Sequence, residues 1–371
     1  DYKTFMLYNS KLTVDQDVNL DNANDSYNKL EIASSNIIND KEIKGTRQEQ
    51  TAIAQANGIA GNKAAITVIT NGSINLNGAD STAIYVKNGV VENRNTGKIN
   101  VLGKHSTGIY AQNNTEISNK GEIVVGREST GIFYSDKTGN TSTGLKNEGK
   151  ISLVGENAVA MIFEPGNITS NVKFENNGET IGSVKESTGM YAKVSLNGVS
   201  YDTINSGTIT LGDSTSLTVP NVAMYTNAKT VGTNPLENKG NITIGKNAIG
   251  IYGFEETNTG NITVGNAGVG MYSQGGDVNL NAGKIKTGSE EAVGVYSVGK
   301  NQTITNSGTA FDLGENSFGF VNSGEENKVI STIANNKLKN HSVYIYSNDT
   351  TGRVENSTKL VANGDRKYGI Y

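Results

Sequence analysis

The stretch NTGKINVLGKHSTGIYA, residues 95–111, contains two short strand patterns separated by a glycine turn. Ile99 and Val101 alternate with polar residues, which is the period of two expected for a strand with one buried face. The second strand ends in the triplet Gly-Ile-Tyr at 108–110, and a weaker third strand is expected at 116–118. One such unit cannot bury its apolar side chains alone, so the pattern predicts a fold of many stacked copies.

The same unit recurs along most of the chain. From Tyr85 to Tyr371 there are eleven steps from one tyrosine-like position to the next, averaging 26 residues. This period is too short for a propeller blade and lacks the leucine spacing of leucine-rich repeats. The first part of the unit, Asn-x-Gly-x-Ile-x-Val, starts at Asn95, Asn119, Asn147, Asn177, Asn205, Asn238, Asn258, Asn281 and Asn306. We therefore expect an all-β fold, a right-handed parallel β-helix (β-solenoid) of about 13 coils, with its repeat array over residues 39–371.

Aligning the second strands predicts three neighbouring columns of side chains. The residue before the tyrosine is apolar in every copy and is expected in the core. The small residue before it, such as Gly108, and the tyrosine after it are expected on the outer face, where glycine leaves room for a flat ring. Coils stacked at about 4.8 Å would place the rings in a ladder. This candidate aromatic ladder consists of Tyr85, Tyr110, Tyr191, Tyr225, Tyr252, Tyr272, Tyr296, Tyr346 and Tyr371. Packing is the simpler role for it, and a docking surface for carbohydrate or protein is the alternative.

Residues 1–38 lack the repeat and are expected to form a start or capping segment. Short strands are expected at 5–8, 12–14 and 18–20. The apolar positions 30, 33 and 37 have helical spacing, so a short helix is expected over 26–38. Such a segment could cover the strand edges that an open solenoid end exposes.

The copies between about 136 and 237 are longer than the others. Enlarged loops are expected at 164–175, 193–204, 213–220 and 226–237, and three of the four follow the tyrosine strand directly. Stacking would place these loops side by side as a ridge, and binding residues are often found on loops held by a rigid scaffold. The candidate ligand-binding residues on this ridge are Glu164, Pro165, Asn167, Lys193, Tyr201, Asp202, Pro220, Lys229 and Pro235. Tolerated insertions without a binding role are the alternative.

Composition argues against several kinds of site. The net charge of -4 without a long basic run gives no surface for nucleic acid, and the absence of cysteine removes disulfides and thiol chemistry. The two histidines, His105 and His341, lie in turn-like surroundings outside any hydrolase motif. The acidic stretch 15–21 carries oxygen ligands at alternate positions but lacks the glycine and closing glutamate of an EF-hand loop. We expect a solvated loop there, with a calcium ion as the alternative, and no metal or other cofactor elsewhere.

Parallel β-helices also carry polysaccharide lyases and hydrolases, which need clustered carboxylates on one outer face. Stacked carboxylates near the glycine turn are Glu128, Glu156, Glu186 and Asp213. Exposed, like-charged turns are the simpler interpretation, and the chain has only five arginines. We therefore expect no enzyme, and a polysaccharide-degrading enzyme stays open as an alternative.

The repeat resembles a known family. The units STGIYA at 106–111, STGMYA at 187–192 and AIGIY at 248–252, joined to Asn-x-Gly-x-Ile-x-Val, are similar to the passenger of fusobacterial type V autotransporter adhesins of the RadD-like group. The run 20–39 is similar too. The resemblance implies an extracellular passenger at the cell surface, attached to the outer membrane through a translocator barrel that is missing from this stretch. It also implies attachment to other bacteria or host cells, as a monomer, through a cell-surface protein or glycan. A non-binding structural spacer is the further alternative.

Overall fold

The computed structural model describes residues 3–8, 11–21, 27–33, 36–55, 66–136, 140–169, 171–194, 200–229, 235–362 and 365–371. All regular structure in these ranges is β-strand, so they contain no helix that could span a membrane. The strands run parallel and stack as a β-solenoid of about 13 turns. This confirms the parallel solenoid that the repeat predicts.

The chain forms two compact units. The N-terminal unit comprises residues 1–181 with 195–199, and the C-terminal unit comprises 182–194 with 200–371. Strands of the N-terminal unit are β1 Lys3–Tyr8, β2 Lys11–Val14, β3 Val18–Asn19, β4 Tyr27–Ala33, β5 Asn36–Asn39, β6 Glu42–Gly45, β7 Thr51–Gln55, β8 Ile66–Thr70, β9 Ser73–Leu76, β10 Thr82–Lys87, β11 Gly89–Asn93, β12 Lys98–Val101, β13 Thr107–Gln112, β14 Glu116–Asn119, β15 Glu122–Val125, β16 Thr130–Ser135, β17 Asn140–Thr141, β18 Leu145–Asn147, β19 Lys150–Leu153, β20 Val159–Glu164, β21 Asn167–Ile168, β22 Lys173–Asn176 and β23 Glu179–Gly182, whose last residue already belongs to the C-terminal unit.

Strands of the C-terminal unit are β24 Thr188–Ala192, β25 Asp202–Asn205, β26 Thr208–Leu211, β27 Val222–Thr226, β28 Leu236–Asn238, β29 Asn241–Ile244, β30 Ile249–Asn258, β31 Asn261–Val264, β32 Val269–Leu280, β33 Lys284–Thr287, β34 Val293–Ser297, β35 Thr303–Asn306, β36 Phe318–Asn322, β37 Lys328–Ser331, β38 Asn335–Leu338, β39 Val343–Ser347, β40 Arg353–Asn356, β41 Lys359–Ala362 and β42 Tyr368–Ile370.

Each coil contributes to three parallel ladders. In the N-terminal unit the Ile-x-Val strands pair as β3-β6-β9-β12-β15-β19, and the tyrosine strands pair as β1-β4-β7-β10-β13-β16-β20. The third strands pair as β2-β5-β8-β11-β14-β18-β22. In the C-terminal unit the corresponding ladders are β26-β29-β31-β33, β24-β27-β30-β32-β34-β36-β39-β42 and β25-β28-β30-β32-β35-β37-β40, because β30 and β32 are long enough to serve two of them.

The core consists of the inward columns of the three ladders, with two or more inward residues from most strands. Ile99, Val101 and Ile109 have no exposed surface, whereas Tyr110 is half-buried on the outer side. Ile109 lies opposite Ile84 and Ile132 in the neighbouring coils. The expected division into a buried middle residue and an outward tyrosine is confirmed.

The small residue of the Gly-Ile-Tyr strand lies inside the solenoid, which corrects the expectation that it faces outward. A Cβ atom on Gly131 would lie 2.6 Å from the Ala160 carbonyl oxygen and 3.1 Å from Cγ2 of Val125, a core residue. Ala83 and Ala160, which occupy the same column, have no exposed surface, so two successive residues of the strand face the core. Tyr344 occupies the same column and is fully buried, with its hydroxyl 2.6 Å from Ser331 Oγ.

A row of buried asparagine amides ends the third strands. Asn119 Nδ2 donates to Asn147 Oδ1 at 2.7 Å, and Asn93 Nδ2 donates to Asn119 Oδ1 at the same distance of 2.7 Å. The row continues to Asn176 in this unit. In the C-terminal unit an equivalent row joins Asn205, Asn238 and Asn258. Asn119 and Asn147 each donate to one neighbour and accept from the other, so their buried amides are satisfied by the row. At the ends of the two rows, Asn93 Oδ1 and Asn258 Nδ2 are buried without a hydrogen-bond partner within the described ranges.

This row corrects the start of three copies. Asn93 and Asn176, rather than Asn95 and Asn177, pair with the asparagines of the adjacent coils. Leu280 pairs with Asn306 at the place assigned to Asn281. Asn93 lies four residues before Gly97, whereas Asn119 lies two residues before Gly121, so counting two residues back from the glycine misplaces the asparagine in that copy.

The helix expected over 26–38 is wrong. The described part of that range forms β4 and β5, which pair with β1 and β2 on one side and with β7 and β8 on the other. Residues 26, 34 and 35 lie outside the described ranges. Pairing between neighbouring coils overrides the helical spacing of a few apolar residues. The expected strands at 5–8, 12–14 and 18–20 are confirmed as β1, β2 and β3, so the coil pattern is already present before residue 39, and a domain boundary at that residue stays a prediction.

Candidate functional site

The expected aromatic ladder forms on the outer face of both units. In the C-terminal unit the ring centroids of successive tyrosines lie 4.9 to 5.3 Å apart, across Tyr191, Tyr225, Tyr252, Tyr272 and Tyr296. After the aliphatic Val321, Tyr346 stacks on Tyr371 at 5.4 Å. In the N-terminal unit Tyr85, Tyr110 and Phe133 form a shorter row. These distances follow from the spacing of stacked coils.

The part of the ladder with nearly parallel rings presents ring edges at the surface, because the faces of neighbouring rings cover one another. Tyr252 and Tyr272 are inclined by 8°, and Tyr272 and Tyr296 by 12°. Burial raises the pKa of Tyr272 above its ordinary value, and the neighbouring phenols raise it further. The pKa of Tyr225 is raised in the same way by burial and by Tyr252. At neutral pH these two phenols are therefore uncharged.

An aliphatic column runs beside the tyrosines in the C-terminal unit. It consists of Val222, Ile249, Val269 and Val293, each at the position three residues before a ladder tyrosine. In the N-terminal unit the same position carries threonine at Thr82, Thr107 and Thr130 and valine at Val159. The tyrosine rings pack against the aliphatic column, which leaves it less than a tenth exposed.

The loop 213–220 forms one wall of a groove over this surface. Leu217, Thr218 and Pro220 line the groove, and Leu217 is 45% exposed. Asn221 anchors the loop, since its Nδ2 donates to the Gly212 carbonyl oxygen at 2.9 Å. Its backbone N–H also donates to Ser214 Oγ at 2.6 Å. The wall is thus tied to the scaffold at its base.

The groove is open, apolar and about 960 Å³ in volume. Its floor is the aliphatic column and the tyrosine edges, and Phe318, Val321 and Tyr346 extend it. Glu291 is the only charged residue among the described residues that line it. Glu290 and Glu291 are both exposed in a turn with positive φ, so the rim is acidic at this point. We call this feature the C-terminal groove.

Of the predicted ridge residues in the N-terminal unit, only Asn167 is exposed. Glu164 and Pro165 are buried, and a Glu164 carboxylate oxygen accepts a 3.0 Å hydrogen bond from Ser135 Oγ. The two cannot belong to an exposed ridge, because the tyrosine strand continues through Glu164. The loop itself forms strand β21, which pairs with β17.

The remaining ridge residues belong to the C-terminal unit. Tyr201 is only 3% exposed and its hydroxyl donates to the Lys193 carbonyl oxygen at 3.3 Å, so the tyrosine packs rather than projects. Half-buried positions are Lys193, Asp202, Pro220 and Pro235, and Lys229 is exposed. Residues 195–199 and 230–234 of the predicted loops lie outside the described ranges.

Two enlarged loops do lie side by side within the C-terminal unit. The Val194 N–H donates to Asn227 Oδ1 at 2.6 Å, and Asn227 Nδ2 donates back to the Val194 carbonyl oxygen at 3.1 Å. Pro220, in contrast, belongs to the loop that lines the C-terminal groove. The predicted ridge included that loop, but the loop packs beside the aliphatic column instead. The run of valine and isoleucine at this strand position from residue 222 onward indicates the aliphatic column in the sequence.

The acidic stretch 15–21 serves as a connection to the next coil. The Asp21 carboxylate accepts hydrogen bonds from the Thr46 N–H at 2.8 Å, the Thr46 hydroxyl at 2.7 Å and Gln50 Nε2 at 2.9 Å. Slight burial raises the pKa of Asp21, but these donors together lower it. No group of three or more metal-ligating side chains occurs within the described ranges.

Charged side chains on the turns are paired with one another. His105 Nε2 lies 2.8 Å from a Glu128 carboxylate oxygen, and Lys104 Nζ lies 2.9 Å from the same carboxylate. The hydrogen bond from Lys104 is the main cause of the lowered pKa of Glu128. Glu156, Glu186 and Asp213 are exposed turn residues, as expected.

A second, polar groove lies on the third-strand face of the N-terminal unit. Lys120 Nζ lies 3.3 Å from Glu92, and Lys146 Nζ lies 2.7 Å from Glu148. The bond from Lys146 lowers the pKa of Glu148, and the bonds to Glu92 outweigh burial and lower its pKa as well. These two carboxylates are held ionised, whereas a general acid requires a raised pKa.

Comparisons of this chain with known protein families, with curated proteins and with solved structures find no match.

Proposed function

We propose that this protein is a cell-surface adhesin passenger that binds a partner on other bacteria or on host cells through the C-terminal groove. The observation that carries the proposal is an open apolar surface with a polar rim, which is typical of interaction sites. Leu217 stands 45% exposed at the wall of this groove, so the apolar surface continues from the floor onto the wall.

The scaffold supports this role because it holds the groove in place before a partner arrives. Each floor residue belongs to a strand that is hydrogen-bonded to the coils on both sides. A preformed surface loses little conformational entropy on binding, which favours affinity. The proposal places the passenger outside the cell, anchored to the outer membrane by a further part of the protein, and acting as a monomer.

Two other functions receive less support. A polysaccharide-degrading enzyme needs a carboxyl group poised to donate a proton, whereas Glu92 and Glu148 of the polar groove are ion-paired and have lowered pKa values. A structural spacer would gain nothing from exposed apolar side chains at a groove.

Cell attachment tests the proposal. The fluorescently labelled protein is incubated with bacterial and cultured host cells, and bound label is measured for wild type, Leu217→Asp and Leu102→Asp. Leu102 is 47% exposed in the N-terminal unit and outside the C-terminal groove, so it is a matched control. We expect Leu217→Asp to reduce attachment at least tenfold and Leu102→Asp to leave it unchanged. Equal attachment by all three proteins would refute the role of the groove.

The ridge is tested by Asn167→Asp and Lys229→Glu, which change exposed residues. Deleting the loops 164–175 and 226–237 is unsuitable, because it would remove Phe174 and Leu236 from the core. Unchanged attachment by both variants would argue against a ridge contact.

A further inference from the structure

We infer that the C-terminal groove binds one amphipathic α-helix of a partner protein, whose apolar stripe lies on the groove and whose basic flank faces Glu290 and Glu291. This inference rests on the proposed function, because it names the chemistry of the partner at the same surface. It follows from the periodicity of the groove, from the hydrogen-bonding needs of the occupant and from the charge at the rim.

Each coil contributes one residue of the tyrosine column to the groove, so these side chains repeat along the groove at the spacing of the coils. The tyrosine column from Tyr225 to Tyr346 passes through Tyr252, Tyr272, Tyr296 and Val321, and thus spans five steps. At about 4.8 Å a step the length is about 24 Å, which equals about 16 residues of α-helix. Apolar residues on one helix face recur about every 5.4 Å, whereas residues on one face of an extended strand recur about every 6.8 Å. The spacing along the groove is closer to that of the helix.

A helix also meets the demands of its own backbone. The strands of the floor are already paired with both neighbouring coils, so an extended peptide finds no free strand edge along the groove. Its N–H and C=O groups would lie against Val269, Val293 and Leu217 without partners, which is costly. An α-helix satisfies its backbone internally and presents only side chains.

The other occupants fit the groove less well. A sugar ring that stacks on an aromatic residue needs an exposed ring face, and the faces of Tyr252, Tyr272 and Tyr296 cover one another. An acyl chain would suit the apolar lining but gives the acidic rim at Glu290 and Glu291 no role. Lysine or arginine beside an apolar helix stripe complements that rim, and such complementarity favours the correct register.

A designed peptide tests the inference on the full 371-residue chain. The peptide has about 16 residues, with leucine at positions i, i+3, i+4, i+7 and i+11 and lysine along one flank. Its first control is a peptide of the same length with the same leucines and lysines, in which two other residues are replaced by proline. Its second control has glutamate in place of lysine. Fluorescence polarisation measures the dissociation constant of each peptide.

We expect the lysine-flanked helix to bind at least tenfold more tightly than either control peptide. Leu217→Asp should weaken its binding at least tenfold, and Leu102→Asp should not. Glu291→Lys should weaken the lysine-flanked peptide and strengthen the glutamate-flanked one. Equal binding by the proline-containing peptide would overturn the inference, and so would displacement of the label by phospholipid vesicles or soluble glycans but not by unlabelled helix.

The two proposals fail differently. If Leu217→Asp abolishes cell attachment while no helical peptide binds, the groove is functional and its occupant is not a helix. If Leu217→Asp leaves cell attachment intact, the proposed function of the groove fails, whatever the peptides do.

Discussion

Replacing Glu256 with leucine should stabilise the C-terminal unit and remove part of its pH dependence. Glu256 lies in β30, in an inward column between Leu236 and Val278, and has no exposed surface. Neither carboxyl oxygen has a well-formed hydrogen bond within the described ranges. Burial raises the pKa of Glu256 well above its ordinary value, and the nearby Ser273 hydroxyl and Gly253 backbone lower it only in part.

The size of the effect follows from the surroundings of this carboxyl. A buried polar group without a hydrogen bond costs about 1–3 kcal/mol in proteins, and leucine already fits this column at Leu236. We therefore expect Glu256→Leu to raise the free energy of unfolding by about 1–3 kcal/mol at neutral pH. Because the pKa of Glu256 is higher in the folded state than in the unfolded state, the contribution of this carboxyl to the free energy of unfolding is most favourable at pH values below the unfolded-state pKa. It is lost as the pH rises toward the folded pKa, at no more than about 1.4 kcal/mol per pH unit.

Urea unfolding followed by far-ultraviolet circular dichroism at several pH values measures both effects. The stability gain of Glu256→Leu over wild type should be smallest near pH 4.5 and should grow toward pH 8. Glu256→Gln should remove the pH dependence without the full gain in stability, and Glu255→Gln is the control for the loss of one negative charge. A gain that is independent of pH, or a loss of stability at neutral pH, would refute this account of Glu256.

Three further changes test the scaffold. Asn119→Ala removes the hydrogen bonds that Asn93 and Asn147 make with Asn119 in the buried amide row, and should lower the free energy of unfolding in urea by about 2–4 kcal/mol. Asn100 is only half-buried, so Asn100→Ala should lower this free energy by less than about 1 kcal/mol. Equal losses in the two variants would contradict a stabilising role of the amide row. Gly270→Ala would place a Cβ atom 2.5 Å from a carbonyl oxygen of the next coil and should cost about 1–3 kcal/mol, and an unchanged urea midpoint would show that the strand can shift. Slight burial raises the pKa of Asp349, but hydrogen bonds from the Asn327 N–H and from Thr351 and Gly352 in its own turn lower it to about 2. Asp349→Asn should therefore cost about 1 kcal/mol at neutral pH, with the difference from wild type narrowing as the pH falls from about 4 toward about 2; a difference that does not change with pH would contradict the role of the charge.

The candidate site was only partly visible in the sequence. The tyrosine ladder follows from a repeated triplet, because parallel in-register coils place equivalent residues one above another. The groove needs a second condition, namely that the loop 213–220 folds back over the aliphatic column that begins at Val222. The path of this loop depends on side-chain hydrogen bonds such as those of Asn221 with Gly212 and Ser214, and the repeat pattern does not specify these bonds. Glu164 and Tyr201 were expected at the surface and are buried for the same reason.

The sequence by itself determined the solenoid, its approximate period and the assignment of apolar residues to the core. Alternation and repetition are local properties, and stacking is the way in which such short units can bury their apolar faces. Only the tertiary structure decided that residues 27–33 are a strand, that the glycine of Gly-Ile-Tyr faces inward, and that Asn93 belongs to the amide row. Each depends on contacts between residues about 25 positions apart, where hydrogen bonding to the next coil outweighs local preference.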